Sequence, residues 1–170
     1  SGLRPGEIVS VLPYLSCGAC NACRKGLTNC CRNLQVLGVH RDGGMTELLS
    51  LPEAAVIPAP GLGLDEAAMV EFLAIGAHAV RRSGVGTGDR TLVVGAGPIG
   101  MAAALFAKLA GADVTLLDPR EDRLAFCADR LGLASAVRAR EGDAAALSDL
   151  TGGEFFDTVF DATGSAAAIE

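Results

Sequence analysis

The spacing of hydrophobic and polar positions divides the chain into two parts of different texture. In residues 1–60, short apolar runs are interrupted by glycine and proline, which is typical of strands and turns. Strands are predicted at residues 7–12, 45–51 and 56–57. Prolines follow the last two runs, and proline is tolerated at strand ends and edges because it lacks a backbone N–H. This part is therefore predicted to be rich in short strands and loops.

Beyond residue 61 the pattern changes to helices that alternate with short apolar strands. A helix is predicted to begin at Leu64-Asp65-Glu66, because acidic side chains favour the first turn of a helix. Further helical stretches are predicted at residues 74–83, 99–110, 121–131, 143–150 and from 166 onward. The strands between them are predicted at residues 91–94, 114–117, 136–139 and 156–161. Strands and helices that alternate through short links predict a parallel sheet covered by helices.

Composition and charge narrow the classes of function. Half of the 170 residues are hydrophobic, one fifth are charged, and the formal net charge is −6. Nucleic-acid binding needs a basic surface, so an acidic chain of this kind argues against a nucleic-acid partner. The longest apolar stretch, around residues 101–112, is interrupted by Lys108 and is too short to span a bilayer. We therefore expect a globular protein with neither a nucleic-acid nor a membrane partner, and no signal peptide is recognisable.

The cysteines are distributed unevenly along the chain. Five of the six lie within fifteen residues, and the sixth, Cys127, is expected to be a small buried apolar group. The clustered residues are Cys17, Cys20, Cys23, Cys30 and Cys31. Disulfide frameworks usually spread their cysteines along a short chain, so a cluster favours metal binding in a reducing compartment. We accordingly expect a cytoplasmic protein.

The spacing within the cluster predicts a structural zinc site. The first three cysteines form C-x2-C-x2-C, and either Cys30 or Cys31 could be the fourth ligand. Four thiolates close a tetrahedral shell around zinc and leave no open position, so such a site stabilises a loop and performs no catalysis. Two alternatives remain. One is a set of disulfides, but a bridge between cysteines three residues apart is unfavourable. The other is an iron–sulfur cluster, whose motif would place its fourth cysteine sooner and follow it with proline, where this chain has Arg32.

A glycine-rich turn predicts a nucleotide site. The predicted strand at 91–94 leads directly into G-x-G-x-x-G, and a predicted helix follows. In this motif Gly95 allows the tight turn, Gly97 lets a pyrophosphate approach the backbone, and Gly100 lets the helix pack on the strand. The free N–H groups of the helix N-terminus attract phosphate. The candidate cofactor-binding residues of the turn are Gly95, Gly97, Pro98, Ile99 and Gly100.

An acidic residue at the end of the next strand strengthens this interpretation. Asp118 lies 23 residues after Gly95, where a carboxylate would bind the adenosine ribose hydroxyls of a dinucleotide. A carboxylate there repels a 2′-phosphate and favours NAD over NADP, although a nearby arginine, Arg120 or Arg123, can accept that phosphate. The alternative is an ordinary strand–helix turn in which Asp118 only supports the bend before Pro119.

Taken together, the cysteine loop and the glycine-rich turn resemble the zinc-dependent medium-chain dehydrogenases, the family of alcohol, threonine and sorbitol dehydrogenases. The resemblance covers essentially the whole chain and implies that Cys31 is the fourth ligand of the structural zinc, with Cys17, Cys20 and Cys23. It implies an α/β fold in which a partial Rossmann-type parallel sheet follows part of a GroES-like β-rich catalytic domain. The expected boundaries are residues 1–72 for the catalytic part, with its zinc lobe at 16–32, and 73–170 for the NAD-binding part.

The resemblance also implies roles for single residues. Glu71 stands where alcohol dehydrogenases have a catalytic-zinc cysteine, and sorbitol-type and sugar-acid enzymes have a glutamate that binds zinc directly or through water. A proline usually follows, where this chain has Phe72. Residues 36–44 resemble the polyol and sugar-acid branch, and His40 is a candidate neighbour of the substrate. Arg123 matches a basic position that contacts the adenosine ribose. The alternatives are a solvated helix acid at Glu71 and a polar surface residue at His40.

The function that this resemblance implies is hydride transfer between a secondary alcohol of a polyol, sugar or sugar acid and NAD, in a homo-oligomeric zinc enzyme. The family's other catalytic-zinc ligands would precede this chain, which is therefore expected to be an internal piece that is inactive alone. Two alternatives have no catalysis: an NAD-binding relative of the dehydrogenases, and a zinc-scaffolded interaction module.

Overall fold

The computed structural model describes residues 2–140 and 142–168. The chain forms two compact units, Ser1–Glu71 and Phe72–Glu170. Among the described residues, no helix is both long enough and apolar enough to cross a membrane.

The first unit is built from two small antiparallel sheets. Its elements in chain order are β1 (Val9–Val11), β2 (Tyr14–Leu15), α1 (Asn21–Arg24), β3 (Gln35–Val36) and β4 (Val56–Pro58). β1 pairs with β4 and β2 pairs with β3. The cysteine loop lies between β2 and β3, so this pairing brings its two ends together. The prediction of a unit rich in short strands and loops is confirmed.

The predicted strand at residues 45–51 is wrong. The segment is irregular, and no described strand pairs with it. Its apolar side chains project into solvent, with Met45 at 105% and Leu48 at 88% of full exposure. A strand needs a partner to satisfy its backbone N–H and C=O groups, and local β-propensity cannot supply one.

Helix α2 spans Leu64–Ser83 and unites the two helical stretches that were predicted separately. Gly76 lies in its interior, where glycine costs about 1 kcal/mol relative to alanine. A Cβ at this position would lie 2.6 Å from the backbone of Ala102. Gly76 therefore permits a close helix–helix approach, and it does not end the helix.

The second unit contains a four-stranded sheet with the order β7-β6-β5-β8, in which all pairs are parallel. Its elements after α2 are β5 (Arg90–Val94), α3 (Pro98–Leu109), β6 (Asp113–Asp118), α4 (Glu121–Leu131), β7 (Ala136–Arg138), α5 (Asp143–Thr151) and β8 (Thr158–Asp161). The predicted parallel sheet is confirmed. In place of the helix predicted from residue 166, the structure has a 3₁₀ turn at Ala166–Ala168, and residues 169–170 lie outside the described part.

The core of the second unit lies on both faces of the sheet. On one face, Val93 and Leu116 pack with Ala104 of α3 and with Cys127 of α4, all four fully buried. On the other face, Leu92, Val94 and Leu117 pack with Leu147 of α5. The expectation that Cys127 is a buried apolar group is confirmed. Because β5 is covered on both faces, its last three residues, 92–94, are apolar without alternation.

Candidate functional site

The four cysteines at C-x2-C-x2-C-x7-C converge on one point. The sulfurs of Cys17, Cys20, Cys23 and Cys31 all lie within 4.8 Å of one another. Two of the Sγ–Sγ distances are 3.5 Å, between Cys20 and Cys23, and 4.0 Å, between Cys17 and Cys23. A tetrahedral zinc with Zn–S bonds of about 2.3 Å needs sulfurs about 3.8 Å apart, so this donor set fits the ion. Cys30 is exposed and lies outside the cluster.

Backbone N–H groups already favour sulfur anions in the cluster. The sulfur of Cys31 accepts hydrogen bonds from the backbone N–H groups of Cys17, at 3.3 Å, and Asn33, at 3.4 Å. Hydrogen bonds from the backbone of Cys23 and then of Arg32 lower the pKa of Cys20 to about 6. In contrast, burial and then its contact with the Cys20 sulfur raise the pKa of Cys23 to about 11. The thiol of Cys20 is therefore more acidic than that of Cys23.

The glycine-rich turn joins β5 to α3, and two of its glycines stand in different surroundings. A Cβ on Gly100 would lie 1.7 Å from the carbonyl oxygen of Gly95, so a side chain cannot fit there. Gly97 is different. It has an ordinary φ of −83°, and a Cβ there would meet only Nη1 of Arg123, at 4.0 Å. Gly97 therefore borders open space, where a ligand can approach the backbone at the N-terminus of α3.

Asp118 lies at the carboxyl end of β6 with its side chain only 3% exposed. Its Oδ2 accepts a hydrogen bond from the backbone N–H of Ala96 at 2.7 Å, and its Oδ1 accepts one from the N–H of Arg120 at 2.8 Å. Nη1 of Arg123 lies 3.7 Å from Oδ2. A carboxylate has about four lone-pair sites, so acceptor capacity remains for a ligand hydroxyl. The carboxylate joins β6 to the glycine-rich turn.

The guanidinium of Arg120 is held by its neighbour Asp122. Nε of Arg120 donates to Oδ1 at 3.0 Å, and Nη2 donates to Oδ2 at 2.5 Å. Both side chains are exposed, at 57% and 65%. The hydrogen bond from Arg120 lowers the pKa of Asp122. The two arginines that could accept a 2′-phosphate are thus each directed at a carboxylate.

Gly97, Asp118, Arg120 and Arg123 border a cleft of about 530 Å³ at the carboxyl ends of β5, β6 and β8. The strands β5, β6 and β7 extend to one side and β8 lies on the other side of β5, so the strand order reverses between β5 and β8. Ligands of open α/β sheets bind at such a point. The β8 side contributes Thr163 and Ser165, which the sequence analysis did not select. Oγ1 of Thr163 donates to Asp161 at 2.7 Å and accepts from the N–H of Ser165 at 3.0 Å. The pattern D-x-T-x-S after the fourth strand was the signal that could have identified them.

The candidate residues outside these two clusters lie in the first unit. Glu71 is part of α2, is partly buried, and its Oε1 lies 3.4 Å from the hydroxyl of Tyr14. Burial, and then the Glu71 carboxylate, raise the pKa of Tyr14. His40 is exposed, and its Nδ1 accepts a hydrogen bond from the N–H of Val36 at 3.0 Å, which supports a turn. Within residues 2–140 and 142–168, neither belongs to a group of three metal-binding side chains, so the described residues alone do not form a catalytic metal site.

A larger depression, of about 680 Å³, lies in the first unit along the irregular segment that contains Met45 and Leu48. It contains none of the candidate metal-binding or cofactor-binding residues.

Comparison with known proteins identifies the family of the chain. Residues 1–61 match the family model for the alcohol dehydrogenase GroES-like domain, and residues 98–170 match that for zinc-binding dehydrogenases. The L-galactonate-5-dehydrogenase of Escherichia coli is 45% identical over 98% of this chain and 49% of its own length. The chain therefore belongs to the zinc-dependent medium-chain dehydrogenase family, which confirms both the family and the α/β fold class that the sequence predicted.

Solved structures show the same relationship. An NAD-dependent alcohol dehydrogenase superposes with a TM-score of 0.85 and 37% identity, over 99% of this chain and 50% of that one. A Sinorhizobium meliloti protein described as a zinc-binding dehydrogenase bound to NADP superposes with a TM-score of 0.88 and 30% identity, over 100% of this chain and 51% of that one. The chain thus spans about half the length of the relatives that it matches.

Proposed function

We propose that the protein containing this chain is a zinc-dependent oxidoreductase that transfers hydride between NAD and a secondary alcohol of a polyol, sugar or sugar acid. The observation that supports it most strongly is the open cleft beside Gly97, bordered by the buried carboxylate of Asp118, in a chain that also carries the four-cysteine cluster. The similarity to a sugar-acid dehydrogenase supports the substrate class.

The residues of the cleft would bind NAD in a fixed orientation. The backbone at Gly97 and the first N–H groups of α3, after Pro98 and around Ile99, would contact the pyrophosphate. Asp118 would accept the ribose hydroxyls, and Arg123 would lie beside the same ribose. NAD supplies the hydride chemistry, and the chain supplies binding and orientation. We propose NAD over NADP because the acceptor oxygens of Asp118 stand where the 2′-phosphate would lie.

The two metal assignments differ in their support. Cys17, Cys20, Cys23 and Cys31 would hold one structural zinc, whose closed thiolate shell stabilises the lobe at residues 16–32. Glu71 is proposed as a residue of the catalytic zinc site, binding directly or through water, and His40 as a neighbour of the substrate. Because Glu71 belongs to no group of three potential metal ligands among the described residues, we derive no catalytic step from it.

We extend the proposal to the organisation of the whole protein. Residues 1–72 would belong to a GroES-like catalytic domain and residues 73–170 to a Rossmann-type NAD-binding domain. All six cysteines are described as free thiols, which fits a reducing, cytoplasmic location. The partner is a small-molecule alcohol, and the complete enzyme would be a homo-oligomer.

The proposal is tested on the complete gene product that contains this chain. Bound zinc is counted per chain by elemental analysis, NAD+ binding is measured by calorimetry, and a panel of polyols and sugar acids is assayed for NADH formation. Two zinc ions, NAD+ binding and turnover are expected. One zinc with NAD+ binding but no turnover would instead indicate a non-enzymatic NAD-binding relative. Zinc without NAD+ binding would indicate a zinc-scaffolded interaction module.

A further inference from the structure

A paired arginine stands at the rim of the proposed nucleotide cleft. Arg120 lines the cleft, and its backbone N–H donates to Asp118, the residue proposed to bind the adenosine ribose. Its guanidinium does not face the cleft freely, because both Nε and Nη2 are engaged by the two oxygens of Asp122. Asp122 itself does not line the cleft.

This pairing bears on which dinucleotide can bind. A guanidinium is the side chain best suited to bind phosphate, because its planar fork donates two parallel hydrogen bonds. In Arg120 one such fork is already occupied by a carboxylate. A 2′-phosphate on this guanidinium would have to use the remaining N–H groups beside Asp122 and would meet the negative charge of that carboxylate. Arg123, the second guanidinium at this rim, lies 3.7 Å from Asp118 and is directed at that carboxylate.

We propose that Asp122 contributes to cofactor specificity by keeping Arg120 in an ion pair and so weakening the binding of NADP. The inference rests on the proposed nucleotide function of the cleft. The dinucleotide that is bound differs among similar proteins, because one matched structure is an NAD-dependent enzyme and another is bound to NADP. Asp122 would act through Arg120 as a positioning residue, because it does not itself line the cleft.

The competing explanation is that Asp122 only stabilises the N-terminus of α4. Acidic side chains in the first turn of a helix interact favourably with its dipole, and both Glu121 and Asp122 stand there. Glu121 pairs with Arg138 at 2.6 Å and not with Arg120. It is therefore a matched control, since Glu121→Ala removes the same charge from the same helical turn and leaves the Arg120 pair intact.

The experiment measures Kd for NAD+ and NADP+ by calorimetry in the complete gene product. The variants are Asp122→Ala, Glu121→Ala, Arg120→Ala and the double variant Arg120→Ala with Asp122→Ala, each checked for folding by thermal unfolding. Asp122→Ala is expected to strengthen NADP+ binding about threefold to fivefold, as for release of an exposed ion-pair partner, and to leave NAD+ binding within about twofold. Glu121→Ala should change NADP+ affinity by less than about twofold, and the double variant should lose the gain.

Three results would overturn the inference while the nucleotide function stands. They are unchanged NADP+ affinity in Asp122→Ala, an equal gain in Glu121→Ala, and a gain that persists without Arg120. A fourth result concerns the proposed function itself. If the folded wild-type protein binds neither NAD+, NADP+ nor ADP, the cleft is not a nucleotide site and both proposals fail together.

Discussion

The carboxylate of Asp118 accepts a hydrogen bond from the backbone N–H of Ala96 at 2.7 Å, across 22 residues of sequence. This contact joins the end of β6 to the glycine-rich turn between β5 and α3. Asp118 therefore has a structural task beside the ligand-binding task that its position predicts. The buried carboxylate shapes the turn before any nucleotide arrives.

Replacing Asp118 should cost stability as well as affinity. Asp118→Ala leaves the N–H groups of Ala96 and Arg120 without an acceptor, and each such loss costs about 1–3 kcal/mol when buried. Asp118→Asn retains one carbonyl oxygen and should lose less. Urea unfolding with parallel NAD+ titration measures both effects, with Asp113→Ala, an exposed acid at the opposite end of β6, as the control. Unchanged stability in Asp118→Ala would show that the contact contributes nothing to the fold.

Two glycines of the same turn should fail in different ways when changed to alanine. Gly100→Ala places a Cβ 1.7 Å from the Gly95 oxygen, so backbone must move, and a loss of about 3 kcal/mol or more is expected. Gly97→Ala has an allowed φ and no close contact, so stability should change by less than about 1 kcal/mol.

Gly97→Ala should instead lose NAD+ affinity by about tenfold or more, because its methyl group would occupy the approach to the pyrophosphate. Thermal unfolding and calorimetry on the same samples separate the two effects. The interpretation of Gly97 is wrong if the alanine variant binds NAD+ as tightly as the wild type.

The adjacent cysteines Cys30 and Cys31 provide an internally matched test of the metal site. Cys31→Ser should remove one zinc per chain, whereas Cys30→Ser should leave the zinc content unchanged, because only the Cys31 sulfur lies in the cluster. Proteolysis of residues 16–32 should accelerate in the first variant only. Equal zinc loss in both variants would mean that Cys30 also contributes a ligand.

Zinc binding at the cluster should strengthen as pH rises. The pKa of Cys23 is raised to about 11, so this thiol keeps its proton at neutral pH until the metal binds. Binding must then release at least one proton, and protons compete with zinc more strongly at low pH. Competition with a chromophoric chelator between pH 6 and 8 measures the effect. A pH-independent affinity would contradict it.

Lys108 of α3 should stabilise the end of α4. Its Nζ donates to the carbonyl oxygens of Leu131, at 3.2 Å, and Gly132, at 2.9 Å, where the helix leaves acceptors unpaired. Lys108→Met should cost about 0.5–1 kcal/mol in urea unfolding, while Lys108→Arg keeps the charge and should cost less. Equal losses in the two variants would show that the cation is not responsible.

Local chemistry accounts for how well the second unit could be predicted. The helix predicted at residues 121–131 has those bounds in the structure, since acids mark its first turn and Gly132, at φ +64°, ends it. Such signals act over three or four residues. The strand at 45–51 was predicted from its apolar composition alone. A strand also needs a pairing partner from elsewhere in the chain, which local composition does not reveal. Helix α2 was predicted as two stretches, and only the structure shows that they are continuous and that Gly76 lies against Ala102.

The metal site and the glycine-rich turn could be predicted from the sequence, because each motif places its cysteines or glycines within a few residues of one another. The residues by themselves could not separate Cys30 from Cys31 as the fourth sulfur of the cluster; the family resemblance favoured Cys31, and the folded loop brings that sulfur to the other three. Only the tertiary structure showed that Asp118 holds the glycine-rich turn and that Thr163 reaches the cleft. These contacts join strands that are distant in sequence, and the parallel crossovers of the sheet decide which strand ends meet.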